Sequence, residues 1–480
     1  MVDKSIICHD RYWSCIGLVM KANWNTKKVL IIGAARQGLA LARFLSGQGA
    51  VVIINDSRPE SEMQSVIDTN PGLKVQWVFG SHSLDLLKDI DLLCVSGGVP
   101  LDIPLIKEAI EKNIPVSNDS QIFMDRVPCP VIGITGSAGK TTTTALLGTI
   151  ARTHFGDERK VWVGGNIGTP LIDQVDSITK NDLVILELSS FQLDLMTHVP
   201  HISAVLNITP NHLDRHKTFE AYIAAKARIL NYQSHSDIAI LGTDDPTAWS
   251  LHEEVEGQLI SFGINQVLKD QTGCFLINDD LILFDDENTH FIMKKEDIQL
   301  RGEHNVKNVL AACACAYATR ITIGSMREGT RGFKGIAHRL EFVREVNGVT
   351  WINDSIATAP ERTSAAIRSF SEPLVLLLGG RDKDLPWNDL ASLVKQRVDH
   401  VVVFGEASGK IISAISKIKK NGREVTLNRC RNLEEAVKQA HRIAEPGDIV
   451  LLAPGGTSYD EFKDFEERGE SYRRWVKQLI

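Results

Sequence analysis

Residues 131–144 read VIGITGSAGKTTTT: an apolar run enters Gly136-Ser137-Ala138-Gly139-Lys140-Thr141, and from Thr142 the pattern is helical. Glycines at such a turn let backbone N–H groups converge on phosphate oxygens, and a helix N-terminus adds its dipole. Lys140 can then reach the β- and γ-phosphates, and the Thr141 hydroxyl can ligand Mg²⁺. The strict phosphate-loop spacing wants glycine at 134, where Ile134 stands between Gly133 and Gly136. The strand before and the helix after still favour nucleotide binding over an incidental lysine in a Gly-rich turn. Kinases, ATPases, GTPases and ligases share such a loop, so it names no reaction. A second set of ligands follows it. Glu187 sits at the end of the apolar run 183–188, ahead of Ser189, Ser190, Phe191 and Gln192, and the run 204–207 leads into Asn211-His212-Leu213-Asp214-Arg215-His216. A strand-end carboxylate and a strand-end imidazole on neighbouring strands can share a divalent cation. Singly, each is as well explained by a helix cap or a loop hydrogen bond. Lys226 lies in a helical pattern, FEAYIAAKARIL, with alanines nearby on both sides. Small neighbours predict partial burial, against the ordinary outcome of a solvated helix lysine. A desolvated lysine favours its neutral amine, which can add to CO₂ to give a carbamate, an anionic oxygen ligand.

A further Gly-rich turn, Gly33-Ala34-Ala35-Arg36-Gln37-Gly38, follows the run 29–32, and the next run closes on Asp56. This could be half of a dinucleotide fold with Asp56 on a ribose hydroxyl. The motif is weak, because its second glycine is Ala35.

These groups must be held by ordinary globular elements. The chain has 480 residues, enough for two to four domains, with 43% hydrophobic and 24% charged residues. That composition excludes a disordered, collagen-like or coiled-coil chain. A net charge of −7, from 53 basic and 60 acidic residues, gives no electrostatic footprint for nucleic acid. No apolar run reaches the roughly 18 residues needed to span a bilayer, and the N-terminus lacks a signal peptide's apolar core. The 8 cysteines are scattered without a C-x-x-C pair, which predicts reduced, mostly buried thiols in a cytoplasmic protein. Buried runs at 29–32, 51–54, 91–95, 131–135, 183–188, 204–207, 238–241, 374–378, 401–404 and 449–452, each followed by Gly or Asp and a helical pattern, predict parallel α/β sheets. Residues 273–291, broken by Asn-Asp and Asp-Asp, predict an antiparallel excursion. Three α/β blocks are expected: a Rossmann-like block at 1–121, with 1–27 an extension of no assigned role; a central phosphate-loop block at 122–336; and a Rossmann-like block at 337–480 with three strand–helix units.

The motifs GITGSAGKTT, GGNIGTP, ELSSFQLD, NITPNHLDRH, AAKARI, GEHNVKN, HRLE, NDSIAT, LLLGGRDKD and APGGTSYDEFKDFEERG occur in this order. In type and order they resemble the Mur ligase family, from about residue 29 to 469. ELSSFQLD, HNVKN and SYDEFKDFEERG point within it to the branch that adds glutamate to UDP-N-acetylmuramoyl-L-alanine. The resemblance implies an ATP-dependent, ADP-forming amide ligase of peptidoglycan synthesis: ATP phosphorylates the acceptor's carboxylate, and the amino acid's amine captures the acyl phosphate. It assigns Gly136, Ser137, Ala138, Gly139, Lys140, Thr141 and Thr142 to the phosphates, Asn305 and Asn308 to adenine, and Arg339 and Asp354 to the same nucleotide. Two Mg²⁺ sites are implied: one through Thr141, the other through Glu187, His212 and a carbamylated Lys226. With Lys140, those last three residues are the catalytic set. The first block would hold the uridine diphosphate rather than a redox cofactor, through Gly33, Arg36, Gln37, Asp56, Ser57, Arg58, Ser96 and Gly98. Asn166, Ser189 and Gln192 would lie at or around the muramoyl group. Thr358, Lys383, Ser458 and Phe465 would hold glutamate. A monomer acting on small molecules, with no nucleic-acid partner and no membrane insertion, is expected.

Two residues depart from the family's pattern. Ile356 stands in NDSIAT where many D-glutamate ligases carry lysine, which leaves D- and L-glutamate both open and one carboxylate contact missing. Ala138 stands where asparagine is usual. The remaining alternatives are a folylpolyglutamate synthetase-like ligase, a P-loop motor or switch, and a dehydrogenase built on Gly33–Gly38.

Overall fold

The computed structural model describes residues 23–166, 168, 170–265, 272–285, 288–418 and 425–480. The extension up to residue 22, with Cys8, Cys15 and Trp13, lies outside them. Two compact units emerge, one comprising the chain to Ile298 together with Glu303–Gly332, the other Gln299–Gly302 with Phe333–Ile480.

The first unit holds two sheets. β1 (Lys28–Ile32), β2 (Val51–Asp56), β3 (Gln76–Phe79), β4 (Leu92–Val95) and β5 (Val116–Ser117) form a parallel sheet in the order β3-β2-β1-β4-β5. The order reverses beside β1, so the loops after β1 and β4 open side by side, the place where open α/β sheets bind ligands. β6 (Val131–Thr135), β7 (Val161–Gly165), β8 (Leu183–Glu187), β9 (Ile202–Val205), β10 (Ile238–Gly242), β11 (Gln258–Gly263), β12 (Gly273–Ile277), β13 (Asp280–Phe284) and β14 (Thr289–Lys294) form the second, ordered β14-β13-β12-β11-β10-β9-β6-β8-β7. β12, β13 and β14 are antiparallel, the excursion expected at 273–291, with residues 286 and 287 outside the described set. Every residue of β6 and β8 is buried, as strands covered on both faces require. One apolar cluster runs through both sheets, from Phe44 and Met124 to Leu186 and Ile229.

The second unit has β15 (Glu341–Val346), β16 (Val349–Asn353), β17 (Leu374–Gly379), β18 (His400–Phe404), β19 (Thr426–Arg429) and β20 (Ile449–Gly455), ordered β15-β16-β20-β17-β18-β19. β15 and β16 form a hairpin that the buried-run reading does not contain. Its turn, Asn347-Gly348, has φ of 52° and 76°, the positive values that an Asn-Gly hairpin turn demands. β3, β5, β7, β11 and β19 also lie outside the runs read from sequence. β3 and β19 are sheet edges, only partly covered, and show no continuous apolar signal. β9 lies two residues earlier than its run, which leaves Asn207 in a loop. Of the described cysteines, Cys94, Cys129, Cys274, Cys313 and Cys315 are buried and Cys430 partly so, all unbridged. Among the described residues no helix is long and apolar enough to cross a membrane.

Candidate active site

The strand order β8-β6-β9 sets three loops side by side: the Gly-rich turn after β6, Glu187 closing β8, and residues 206–217 after β9. The turn takes a left-handed step at Gly139 (φ 85°) and enters the Lys140–Phe155 helix directly. A Cβ at Gly139 would meet Asn308 Oδ1 at 2.3 Å, so glycine is demanded by the backbone and by the close approach of the Glu303–Ala318 helix. On that helix Asn308 Nδ2 donates to Asn305 Oδ1 at 3.0 Å, one face holding both residues as their spacing requires. Asn207 explains how the turn tolerates Ala138: its Oδ1 accepts from Ala138 N–H at 2.8 Å and its Nδ2 donates to Ala138 O at 3.1 Å. Ser137 Oγ bonds Thr209 O at 3.0 Å and shares a hydrogen bond with Tyr222 OH, also 3.0 Å. Lys140 curls over the turn, Nζ donating to Gly136 O at 2.8 Å. Thr141 and Thr142 stand half-buried at the helix start.

Glu187 is 2% exposed. Its Oε1 accepts from Asn166 Nδ2 at 2.9 Å, and its Oε2 is buried with no hydrogen-bond partner among the described residues. Lys226 is 1% exposed, which corrects the solvated alternative. The reason lies in the Phe219–Asn231 helix, N-capped by Thr218 Oγ1, whose buried stripe runs Tyr222, Lys226, Ile229 at spacings of four and three. Lys226 Nζ donates to Gly136 O at 2.8 Å and Thr135 Oγ1 at 3.3 Å. Desolvation drives its pKa well below the usual lysine value, the nearby Lys140 charge adds to this, and Glu187 opposes it. His212 has a left-handed backbone (φ 53°). Desolvation lowers its pKa, and among its charged neighbours are Lys140 and Lys226. Lys226 therefore feels the charges of Lys140 and Glu187, and His212 those of Lys140 and Lys226.

Sequence reasoning missed the bracing around them. His216 Nε2 shares a 2.9 Å hydrogen bond with Ser190 Oγ, its ring stacks on Phe191 with planes 3° apart, and His212 meets the same ring edge-on. The helical turn Leu213–His216 is bracketed by positive φ at His212 and Lys217. Such backbone persists only where surrounding contacts hold it. Gln192 belongs to this bracing. It is 1% exposed, and it closes a capping box with Ser189, its Oε1 accepting from Ser189 N–H at 3.0 Å and Ser189 Oγ at 2.9 Å. Its Nε2 donates to Ser120 Oγ at 2.8 Å. Both ends of the amide are committed inside the protein, so Gln192 braces the turn.

At the β1/β4 switch point Ser96 Oγ donates to Gly33 O at 3.0 Å, and a Cβ on Gly38 would strike Gly33 O at 2.0 Å. Asp56 Oδ2 accepts from Ala34 N–H at 2.8 Å, and Arg58 clamps both carboxylate oxygens at 2.9 and 2.8 Å, holding the Asp56 pKa at about 2. Ser57 and Gly98 are exposed, and Gln37 lies beside Gly97. Two arginines tie this site to the central loops: Arg36 Nη1 donates to Gly168 O and Arg215 Nη1 to Gly98 O, each at 2.9 Å.

In the second unit, β16-β20-β17 again sets three loops together, bearing Thr358, Ser458 and Lys383. Lys383 Nζ lies 3.5 Å from Thr358 Oγ1, and Ser458 is 2% exposed. Phe465 packs edge-on to His338 at 6.4 Å. Arg339, exposed between the positive-φ residues His338 and Leu340, closes a turn by donating its N–H to Ile336 O at 3.1 Å. Asp354 accepts from Leu340 N–H at 3.0 Å, and burial raises its pKa to about 6.

A divalent cation fits part of this construction. Glu187 brings a buried carboxylate oxygen without a partner, and Thr141 a hydroxyl at the phosphate turn. No group of three or more His, Cys, Asp or Glu side chains among the described residues could hold a metal by itself. An ion here would therefore draw further ligands from phosphate and water.

Three family models match the chain: a Mur ligase MurD-like N-terminal domain over residues 27–118, a Mur ligase middle domain over 134–316, and a Mur ligase glutamate ligase domain over 338–456. A UDP-N-acetylmuramoylalanine–D-glutamate ligase from Acetivibrio thermocellus is 37% identical over 96% of this chain and 98% of its own length. The chain belongs to the Mur ligase family. A second such ligase, from Pelotomaculum thermopropionicum, is 39% identical over 96% of this chain and 99% of its own. The Mur ligase fold is shared with a UDP-N-acetylmuramate–alanine ligase from Thermotoga maritima, at a TM-score of 0.56 and 20% identity over 94% of this chain and all of that one.

Proposed function

We propose that this Mur ligase joins D-glutamate to the alanyl carboxylate of UDP-N-acetylmuramoyl-L-alanine, consuming ATP, in peptidoglycan synthesis. The carrying observation is a buried Lys226 that shares the Gly136 carbonyl with Lys140 and feels the charge of Glu187, in a chain aligned almost end to end with D-glutamate ligases.

A carboxylate is a poor acyl donor until one oxygen is phosphorylated. Backbone N–H groups of Gly136–Thr142 and the helix behind them receive the phosphates, and Lys140 swings from Gly136 O to neutralise the transferring phosphoryl group. Bound Mg²⁺ would supply further charge neutralisation, and Thr141 on one side and Glu187 with His212 on the other are the residues that would hold it. Lys226 joins the latter set as a carbamate: its burial and depressed pKa favour the neutral amine that adds to CO₂. The anion so formed would answer the positive charge of Lys140 close by. Asn305 and Asn308 receive adenine, with Arg339 and Asp354 assigned to the same nucleotide. The β1/β4 switch point receives the uridine diphosphate, Arg36 and Arg58 facing its charge. Thr358, Lys383, Ser458 and Phe465 receive glutamate. We place the protein in the cytoplasm as a monomer acting on charged small molecules.

Phosphate release tests this. With ATP, UDP-N-acetylmuramoyl-L-alanine and D-glutamate together, release is expected, falling to background when any one is withheld. Preference for L-glutamate would reverse the stereochemistry, and ATP hydrolysis indifferent to the acceptor would point to a motor or switch.

A further inference from the structure

In the second unit, the turn after β16, residues 354–359, is reached by two cations. Lys383 approaches Thr358 Oγ1, and Arg362 folds Nη1 back to the Ile356 carbonyl, each at 3.5 Å. They are near enough that Arg362 is the largest charge disfavouring protonation of Lys383, after desolvation. Cations on the neighbouring loops are matched: Arg381 pairs with Glu406 at 2.8 Å, and Lys410 pairs with Asp382. Arg362 and Lys383 have no carboxylate within ion-pair distance among the described residues, and Glu361 acts on Lys383 only at longer range. Arg362 also stands in the first turn of the Pro360–Arg368 helix, where the macrodipole disfavours a positive charge. The fully buried Arg468 brings a third cation to the same turn, donating to Ser355 O at 2.8 Å and Ser355 Oγ at 3.0 Å. Asp354 acts on Arg362, and Asp460 and Glu461 act on Arg468, without an ion pair being formed; like charges gathered without a paired counter-ion repel, an arrangement that an arriving anion relieves. Ile356, in the middle of the turn, supplies no charge of its own.

We propose that Arg362 and Lys383 form a two-cation clamp for the two carboxylates of the incoming amino acid, and that Arg362 determines the preference for a dicarboxylate. The inference rests on the glutamate-ligase reading above. A neutral side chain in place of one carboxylate would leave one of the two cations unmatched, the kind of mismatch by which binding sites reject analogues. The guanidinium's paired N–H donors suit a carboxylate, and a lysine at 362 would keep the charge without the fork.

The test is steady-state phosphate release by the full-length protein with D-glutamate, D-glutamine or D-isoglutamine as acceptor amine. Wild type should prefer D-glutamate over both monoamides. Arg362→Ala should raise the D-glutamate KM about 10-fold or more and erase most of the preference over one monoamide, with the KM for ATP and for the nucleotide-sugar acceptor within about 2-fold of wild type. Arg362→Lys should retain part of the preference. The monoamide that gains identifies the carboxylate held by Arg362. A purely structural role would lower turnover of all three amino acids alike and leave their ratios unchanged, which overturns the clamp. A wild-type protein that releases no phosphate with D-glutamate contradicts the ligase reading itself.

Discussion

Lys226 shows how one side chain's surroundings select its chemistry. As a bare ammonium it is poorly accommodated, with 1% exposure, two hydrogen-bond acceptors and another lysine's charge close by. Neutral, it is a nucleophile for CO₂. Lys226→Ala should therefore lose at least about 100-fold in kcat, the scale of one removed charge-stabilising group. Added formate or acetate should return part of that activity by supplying the missing anion. Activity assays across carboxylate concentration check this, and a variant indifferent to carboxylate would argue for an unmodified lysine. The alanines around Lys226 point to partial burial, but its full extent depends on which way the helix faces, which long-range packing sets. Gln192 turns inward to complete a capping box that the spacing Ser189-x-x-Gln192 already contains.

At the scale of elements, the phosphate turn was legible because its signal is local: an apolar strand, glycines, a lysine and a helix within about a dozen residues. Its support was not. Asn207 and Asn308 reach the turn from 69 and 165 residues away along the chain, in contacts with Ala138 and Thr143. Gly139→Ala tests that support. The new methyl must adopt a left-handed backbone and displace Asn308 Oδ1, at a cost of about 1–3 kcal/mol. Denaturant unfolding should show the lost stability, and calorimetric titration should show ATP affinity reduced more than the acceptor's. Equal loss for both ligands would mean that the turn does not serve the nucleotide selectively. The β15–β16 hairpin is a miss with a readable signal, since Asn347-Gly348 between alternating residues is itself a hairpin cue.

On the scale of the whole molecule, one geometric device recurs three times. Each sheet carries its candidate site on loops at the carboxyl ends of adjacent strands: after β1 and β4, around β6, and around β20. Alternating buried runs and helices made this α/β organisation readable from sequence, whereas strand order, which decides whose loops become neighbours, is set by long-range packing. The central claim is that these sites serve one reaction, in which an acceptor carboxylate attacks the γ-phosphorus of ATP and leaves one of its oxygens on the phosphate. UDP-N-acetylmuramoyl-L-alanine labelled with ¹⁸O in its alanyl carboxylate tests this most directly, with the released phosphate read by mass spectrometry after complete turnover with ATP and D-glutamate. One ¹⁸O atom in each phosphate is the expected result. Phosphate released without label would contradict an acyl phosphate and the account built on it.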